Sequence, residues 1–318
     1  IKITAPGVVT VGGAMTATAV ADLNIGIDPT DVNQNADIND TGDIDITANN
    51  NVTFGNGVVI EADSDDDSSG DLTVTADDDT SGAGTLLQQA TGELLGANVT
   101  LSGANVTLSG GTAGAAAAVD AKTGNADVDA NNGNLTYDGP GDLQAAADVL
   151  LNASNAVTAT DADGLISAGN TVQIGVLANG AATTSADING EGITAQNGIT
   201  IRTTDTTRIA DDAVVQTTTA AGNIEITAGG AMTLENGASI ASAGTAGTSL
   251  DIQGSTVTLN SDNGAVEVSA AGDTDIDSQS GDTALGTAGG PVTDLQIAGN
   301  ATIDAHTGDV LQNDGSID

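Results

Sequence analysis

No cysteine occurs in this sequence, so disulfide frameworks, thiolate metal centres and thiol nucleophiles are all excluded. Tryptophan is absent, and Phe54 and Tyr137 are the only aromatic residues. A conventional globular core of this length fills its volume with aromatics; this one must be built from Val, Ile, Leu and Ala. Basic residues number four, Lys2, Lys122, Arg202 and Arg208, against 44 acids, for a formal net charge of -40. That balance rules out the basic footprint needed for nucleic acid and disfavours anionic membrane surfaces. Cations, water and basic surfaces are the expected partners. No apolar run approaches the ~20 residues of a membrane span, and no secretion signal is recognisable. Proline is scarce, with four in 318 residues.

High charge and few aromatics also mark disordered chains. Here, however, 39% of residues are hydrophobic, β-branched residues are abundant, and they recur in a pattern. A glycine, a polar residue and an alternating apolar strand ending in alanine appear at 42–48 (Gly-Asp-Ile-Asp-Ile-Thr-Ala), 70–76 (Gly-Asp-Leu-Thr-Val-Thr-Ala) and 222–228 (Gly-Asn-Ile-Glu-Ile-Thr-Ala). Copies follow at 264–270 and 299–305, and weaker ones begin at Gly124, Gly141 and Gly169. Second short strands follow at Val52–Phe54, Leu135–Tyr137 and Met232–Leu234, and third ones at Val58–Ile60 and Ala238–Ile240. Asn-Asn, Gly-Gly, Asn-Gly and Asp-Gly turns lie between them. The spacing is irregular, about 20–30 residues, as in β-solenoid coils.

Alternation places Ile44 and Ile46 on one face and Asp43 and Asp45 on the other. Strands this short bury an apolar face only by stacking on equivalents in the next coil, and glycine and asparagine suit the corners. The expected fold is therefore all-β: a right-handed parallel β-helix, a single β-solenoid over 1–318 that is a fragment of a longer chain, since both ends read as mid-strand. Segments 28–41, 63–70, 77–93, 110–123 and 279–293 break the alternation and are expected to be loops leaving the corners. The alanine run from Gly114 to Val119 is expected to form a short helix.

The stretch 222–240 (Gly-Asn-Ile-Glu-Ile-Thr-Ala-Gly-Gly-Ala-Met-Thr-Leu-Glu-Asn-Gly-Ala-Ser-Ile), and similarly 42–60, resembles the repeats of filamentous haemagglutinin-like adhesins, the two-partner-secretion exoproteins of bacteria. The resemblance is one of repeat grammar, and the secretion domain of that family is not recognisable. It implies an extracellular or cell-surface fibre, structural or adhesive and non-catalytic. Such a fibre would assemble with itself end to end or laterally, join the remainder of a longer surface protein, or meet a host or neighbouring cell.

Candidate chemistry is confined to a few places. The acids Asp63, Asp65, Asp67 and Asp71 form a dense cluster, with Asp77, Asp78 and Asp79 one strand later. Clustered carboxylates accept a hard cation, and calcium tolerates irregular oxygen sets; a calcium-binding surface-layer or matrix module is the alternative function. The segment 28–45 has spaced acids (Asp31, Asp37, Asp40, Asp43), but Ala36 and Gly42 break the EF-hand pattern. A polysaccharide-active β-helix enzyme is the third reading. Acid pairs such as Asp211 and Asp212 are too common here to indicate it. Arg202 and Arg208 have Asp205, Asp211 and Asp212 nearby for ordinary ion pairs. His306 has no second histidine or cysteine for zinc and reads as a lone exposed loop residue. Phe54 and Tyr137 read as core fillers. Asn51, Asn98, Asn105, Asn134, Asn152 and Asn300 head glycosylation sequons.

Overall fold

Alternating side chains and glycine-rich corners resolve into short parallel strands, each paired with the strand three places further along the chain. The computed structural model describes residues 2–3, 9–11, 15–17, 23–25, 31–65, 69–160, 164–175, 182–190, 192–260, 264–286, 293–313 and 316–317. Strands account for the regular structure, with no helix among the described residues. The chain is a parallel β-solenoid: each coil contributes one strand to each of three sheets. It divides into two compact units, Ile1–Asn155 with Asp163–Ser167, and Ala156–Ala162 with Ala168–Asp318.

In the first unit, the first sheet stacks Ile44–Thr47, Leu72–Thr75, Val99–Gly103, Ala126–Ala130 and Val149–Ala153 in register. Its two inward columns run Ile44, Leu72, Val99, Ala126, Val149 and Ile46, Val74, Leu101, Val128, Leu151, all fully buried. In the second unit, one inward column runs Ile174, Ile201, Ile226, Ile252, Ile276, Ile303. Stacking like on like is how strands of four to seven residues obtain a core without aromatics. The second sheet of the first unit carries the exceptions: Gln34, Phe54, Gln88, Leu108 and Tyr137 form one inward column. Phe54 and Tyr137 are wholly buried, as core fillers should be. The Tyr137 hydroxyl donates to the Gly141 carbonyl, and Gln88 Nε2 donates to the carbonyls of Gly92 (2.9 Å) and Ala118 (2.8 Å). These bonds satisfy polar groups that the interior would otherwise penalise.

Four of the five expected loops contain strands. Asp31–Gln34 and Ile38–Asp40 lie within 28–41, Thr85–Gln88 within 77–93, Val119–Ala121 within 110–123, and Thr283–Leu285 within 279–293. Several of these strands aim polar residues inward: Gln34, Asp40, Gln88 and Thr283 are buried. That inversion hides the alternation. In the fifth, 63–70, residues 63–65 form a turn, and 66–68 lie outside the described residues.

The expected helix at 114–119 is absent. Thr112 and Ala116 instead close a small antiparallel bridge, Gly111 and Gly114 take positive φ (74° and 62°), and Val119 pairs between Leu94 and Leu143. Four alanines are too few to repay helix nucleation, whereas Val119 completes an apolar column.

Truncating the aliphatic column should therefore be costly. Ile226→Ala, between Ile201 and Ile252, is expected to lower the free energy of urea unfolding by about 2–5 kcal/mol. Its outward neighbour Thr227→Ala should change it by less than about 0.5 kcal/mol.

Candidate functional site

The acids expected to bind calcium are given different tasks by the corner they share. Asp71 ends a glycine-acid turn and accepts from the backbone N–H (3.1 Å) and the Nδ2 (2.8 Å) of Asn98 on the next coil. Asp63 is buried at positive φ (62°), and its carbonyl accepts from Lys122 Nζ at 3.4 Å. The same ammonium pairs with Glu61 at 2.9 Å. Asp65 is exposed, and Asp67 lies outside the described residues. Asp63, Asp65 and Asp71 do not converge as a three-ligand group.

One coil earlier, Asp40 is wholly buried: Oδ1 accepts from the Gly42 N–H at 3.2 Å, while Oδ2 is buried with no hydrogen-bond partner. The Asp40 carbonyl accepts from the Ser64 N–H at 2.9 Å, which brings its corner against residues 63–65. Asp77, by contrast, clamps its own turn. It accepts from Ser81 Oγ (2.8 Å) and the Gly82 N–H (2.9 Å). Burial raises its pKa, but the hydrogen bonds from Ser81, Gly82, Ala83 and Gly84 together outweigh this and leave it below the ordinary carboxylate value.

The spaced acids of 28–45 belong to a device that the residue pattern did not disclose. Asp43 Oδ1 accepts the Asp71 N–H (2.9 Å), Asp71 Oδ1 that of Asn98 (3.1 Å), Asn98 Oδ1 that of Asn125 (2.9 Å), and Asn125 Oδ1 that of Asp148 (3.1 Å). Each corner side chain thus caps the strand-entry N–H of the next coil, continuing the ladder past the strand. A second such series runs from Asp31 through Asn51 to Thr85 (3.1 and 3.0 Å). In the second unit, Asp273 holds the N–H of Asn300 (2.8 Å), and Asp282 that of Asp309 (2.9 Å). Glycine often precedes these residues for want of room: a Cβ on Gly299 would lie 2.5 Å from the Gly272 carbonyl of the previous coil. Three of the sequon asparagines, Asn51, Asn98 and Asn300, use the Nδ2 that a glycan would occupy to donate to Asp31, Asp71 and Asp273.

Outward on the first sheet, parallel register stacks like charges. Glu225, Asp251 and Asp275 are direct neighbours on successive strands, as are Asp277 and Asp304. Burial, then repulsion from Asp275, Glu225 and Asp277, raises the pKa of Asp251 despite the hydrogen bond from Gln253. In the first unit, Asp127 is pushed up to about 6 by burial and by Asp129 two residues on. The arginines are occupied: Arg202 pairs with Glu225 (2.6 Å), and Arg208 with Glu235 (2.6 Å), Asp187 (3.0 Å) and Asp211 (3.6 Å).

Comparison with protein-family models, curated proteins and solved structures finds no match to this chain.

His306 departs from its expected role. It is half exposed but not alone: Nδ1 lies 3.3 Å from Asp277 Oδ1, and Nε2 lies 4.0 Å from Asp304 Oδ2. Among the described residues, these three form the one group whose metal-ligand atoms all lie within 4.8 Å of one another. The signal that finds it is register: Asp304 sits beside Asp277, and His306 follows Asp304 by two.

Two outcomes follow from this geometry. Asp71→Ala removes the acceptor for Asn98 and should cost about 1–3 kcal/mol in chemical unfolding. Asp71→Asn keeps an acceptor oxygen and should cost clearly less. Asp127 has a folded-state pKa of about 6, raised above that of an ordinary aspartate. The folded chain therefore binds the extra proton between these values, and this group's contribution to stability falls as pH rises through that window. Asp127→Asn should raise the melting temperature at pH 7.5 and leave it nearly unchanged at pH 4.

Proposed function

We propose that this chain is a segment of a non-catalytic extracellular or cell-surface fibre, structural or adhesive in role. The observation that supports this reading most is the coil-to-coil lock. Aliphatic columns, strand pairing and the corner caps recur through the described coils of both units, so the side chains invested in structure are spread along the chain and not gathered at one pocket. Outward faces rich in Thr, Asn and Asp keep such an assembly hydrated, and the charge of -40 opposes indiscriminate aggregation. Its partners on this reading are further copies of the chain, the rest of a longer surface protein, or a neighbouring cell. The resemblance of 222–240 to filamentous haemagglutinin-like repeats points the same way.

Negative-stain electron microscopy of the purified chain tests it. Filaments many times longer than a single chain are expected, and short monodisperse particles at all concentrations would overturn self-assembly.

A calcium-binding surface module is favoured as a second reading by one observation, the buried Asp40 oxygen without a partner beside the acidic corner at 63–65. A hard cation would satisfy that oxygen. Ligand linkage then predicts stabilisation by about 2.7 kcal/mol at a calcium concentration a hundred times Kd. Calorimetric scans should show a melting temperature raised by calcium, lowered by chelator, and insensitive to both in Asp40→Asn. An equal response in the wild type and the variant would exclude this corner.

A further inference from the structure

We propose that Asp277, Asp304 and His306 form a site for a borderline divalent metal ion such as zinc, distinct from any calcium site at the acidic corner of the first unit. The fold builds it from one strand pair and the turn after it. Asp277 on Asp273–Ser278 and Asp304 on Ala301–Ala305 are register partners, about 4.8 Å apart as neighbouring strands are. The His306 N–H donates to the Ser278 carbonyl at 2.9 Å, which ties the turn back to the preceding coil. That bond sets the imidazole over the two carboxylates.

Three features point to a cation and not merely to crowded acids. The ligand atoms converge within 4.8 Å of one another, and a nitrogen joins two carboxylates. The Asp277 side chain is only 14% exposed, and its Oδ1 is buried without a hydrogen-bond partner while facing the imidazole. Gln279 Nε2 donates to the other oxygen, Oδ2, orienting Oδ1 as a supporting residue does at a metal centre. The separation of His306 Nδ1 from Asp277 Oδ1, 3.3 Å, matches the edge of a tetrahedron with metal–ligand bonds of about 2.0–2.1 Å; Asp304 Oδ2, 4.0 Å from the other ring nitrogen, Nε2, would join the same ion by rotating its exposed side chain. Imidazole nitrogen with carboxylate oxygen selects zinc and its first-row neighbours over magnesium and calcium, which prefer all-oxygen sets. Two carboxylates, a histidine and solvent complete four-coordination. Stacked acids on neighbouring strands repel, and the ion would turn that repulsion into a link between two coils. The competing arrangement is a protonated imidazole bridging both acids, with no metal involved.

Histidine occurs once in the sequence, so the imidazole signals of the intact chain need no assignment. Zinc chloride would be titrated into ¹⁵N-labelled protein at pH 7.5, in a non-coordinating buffer with excess calcium to occupy unspecific acidic sites. The expected result is a saturable shift of one imidazole nitrogen at one equivalent of zinc. In the Asp277→Asn, Asp304→Asn double variant, with an unchanged circular dichroism spectrum, the apparent Kd should weaken by at least about tenfold. Imidazole signals unmoved by excess zinc would overturn the proposal in favour of the protonated bridge. The same affinity in the double variant would overturn it in favour of binding by a solitary surface histidine.

Discussion

Parallel in-register pairing of each coil with the next is the constraint from which the rest follows. Three short strands per coil have no stability of their own. Their backbone groups and inward side chains are satisfied only by the equivalent groups of neighbouring coils. Register then makes columns: Ile174 to Ile303 in one unit, Ile46 to Leu151 in the other. A column of aliphatics packs well at this spacing without aromatics, which is why one Phe and one Tyr suffice and why both stand in the same column as buried glutamines.

The same register acts on polar residues with mixed effect. At the corners it is favourable: an Asp or Asn Oδ1 lies one coil from the next unsatisfied N–H, and the corner series extends the hydrogen-bond ladder beyond the strand ends. Aspartate serves there as well as asparagine because only an acceptor is required. On the outward faces it is unfavourable, placing Glu225, Asp251 and Asp275 side by side. Part of the acidity of this chain is thus absorbed into capping, as at Asp31, Asp43, Asp71 and Asp273. Buried carboxylate oxygens without a hydrogen-bond partner are found at Asp40, Asp127 and Asp277.

Those three residues frame the functional reading. A fibre segment is supported by the distribution of structural bonds over the coils. Cation chemistry is proposed at two of them: Asp40, beside the acidic corner at 63–65, and Asp277, beside Asp304 and His306. The two roles are compatible, since an ion held between coils strengthens the stacking that a fibre depends on.

How much of this was legible in the sequence depends on the range of the interaction. The all-β class, the β-solenoid coil, the aliphatic core and the burial of Phe54 and Tyr137 were determined by sequence alone. Alternation of period two is local, and stacking is the one way such short apolar faces can be buried. The strands at Asp31–Gln34, Thr85–Gln88 and Thr283–Leu285 were not legible, because buried Gln and Thr invert the pattern and their partners lie on other coils. The acids posed the same difficulty more sharply. Asp71 sits in a dense run of carboxylates yet caps Asn98, while Asp40 looks like one of several spaced acids yet is the one fully buried. Irregular coil lengths leave the partner of each corner residue undefined along the chain. Only the tertiary register decided that Asp277, Asp304 and His306 meet, because it sets which residues, some 27 positions apart, share a face.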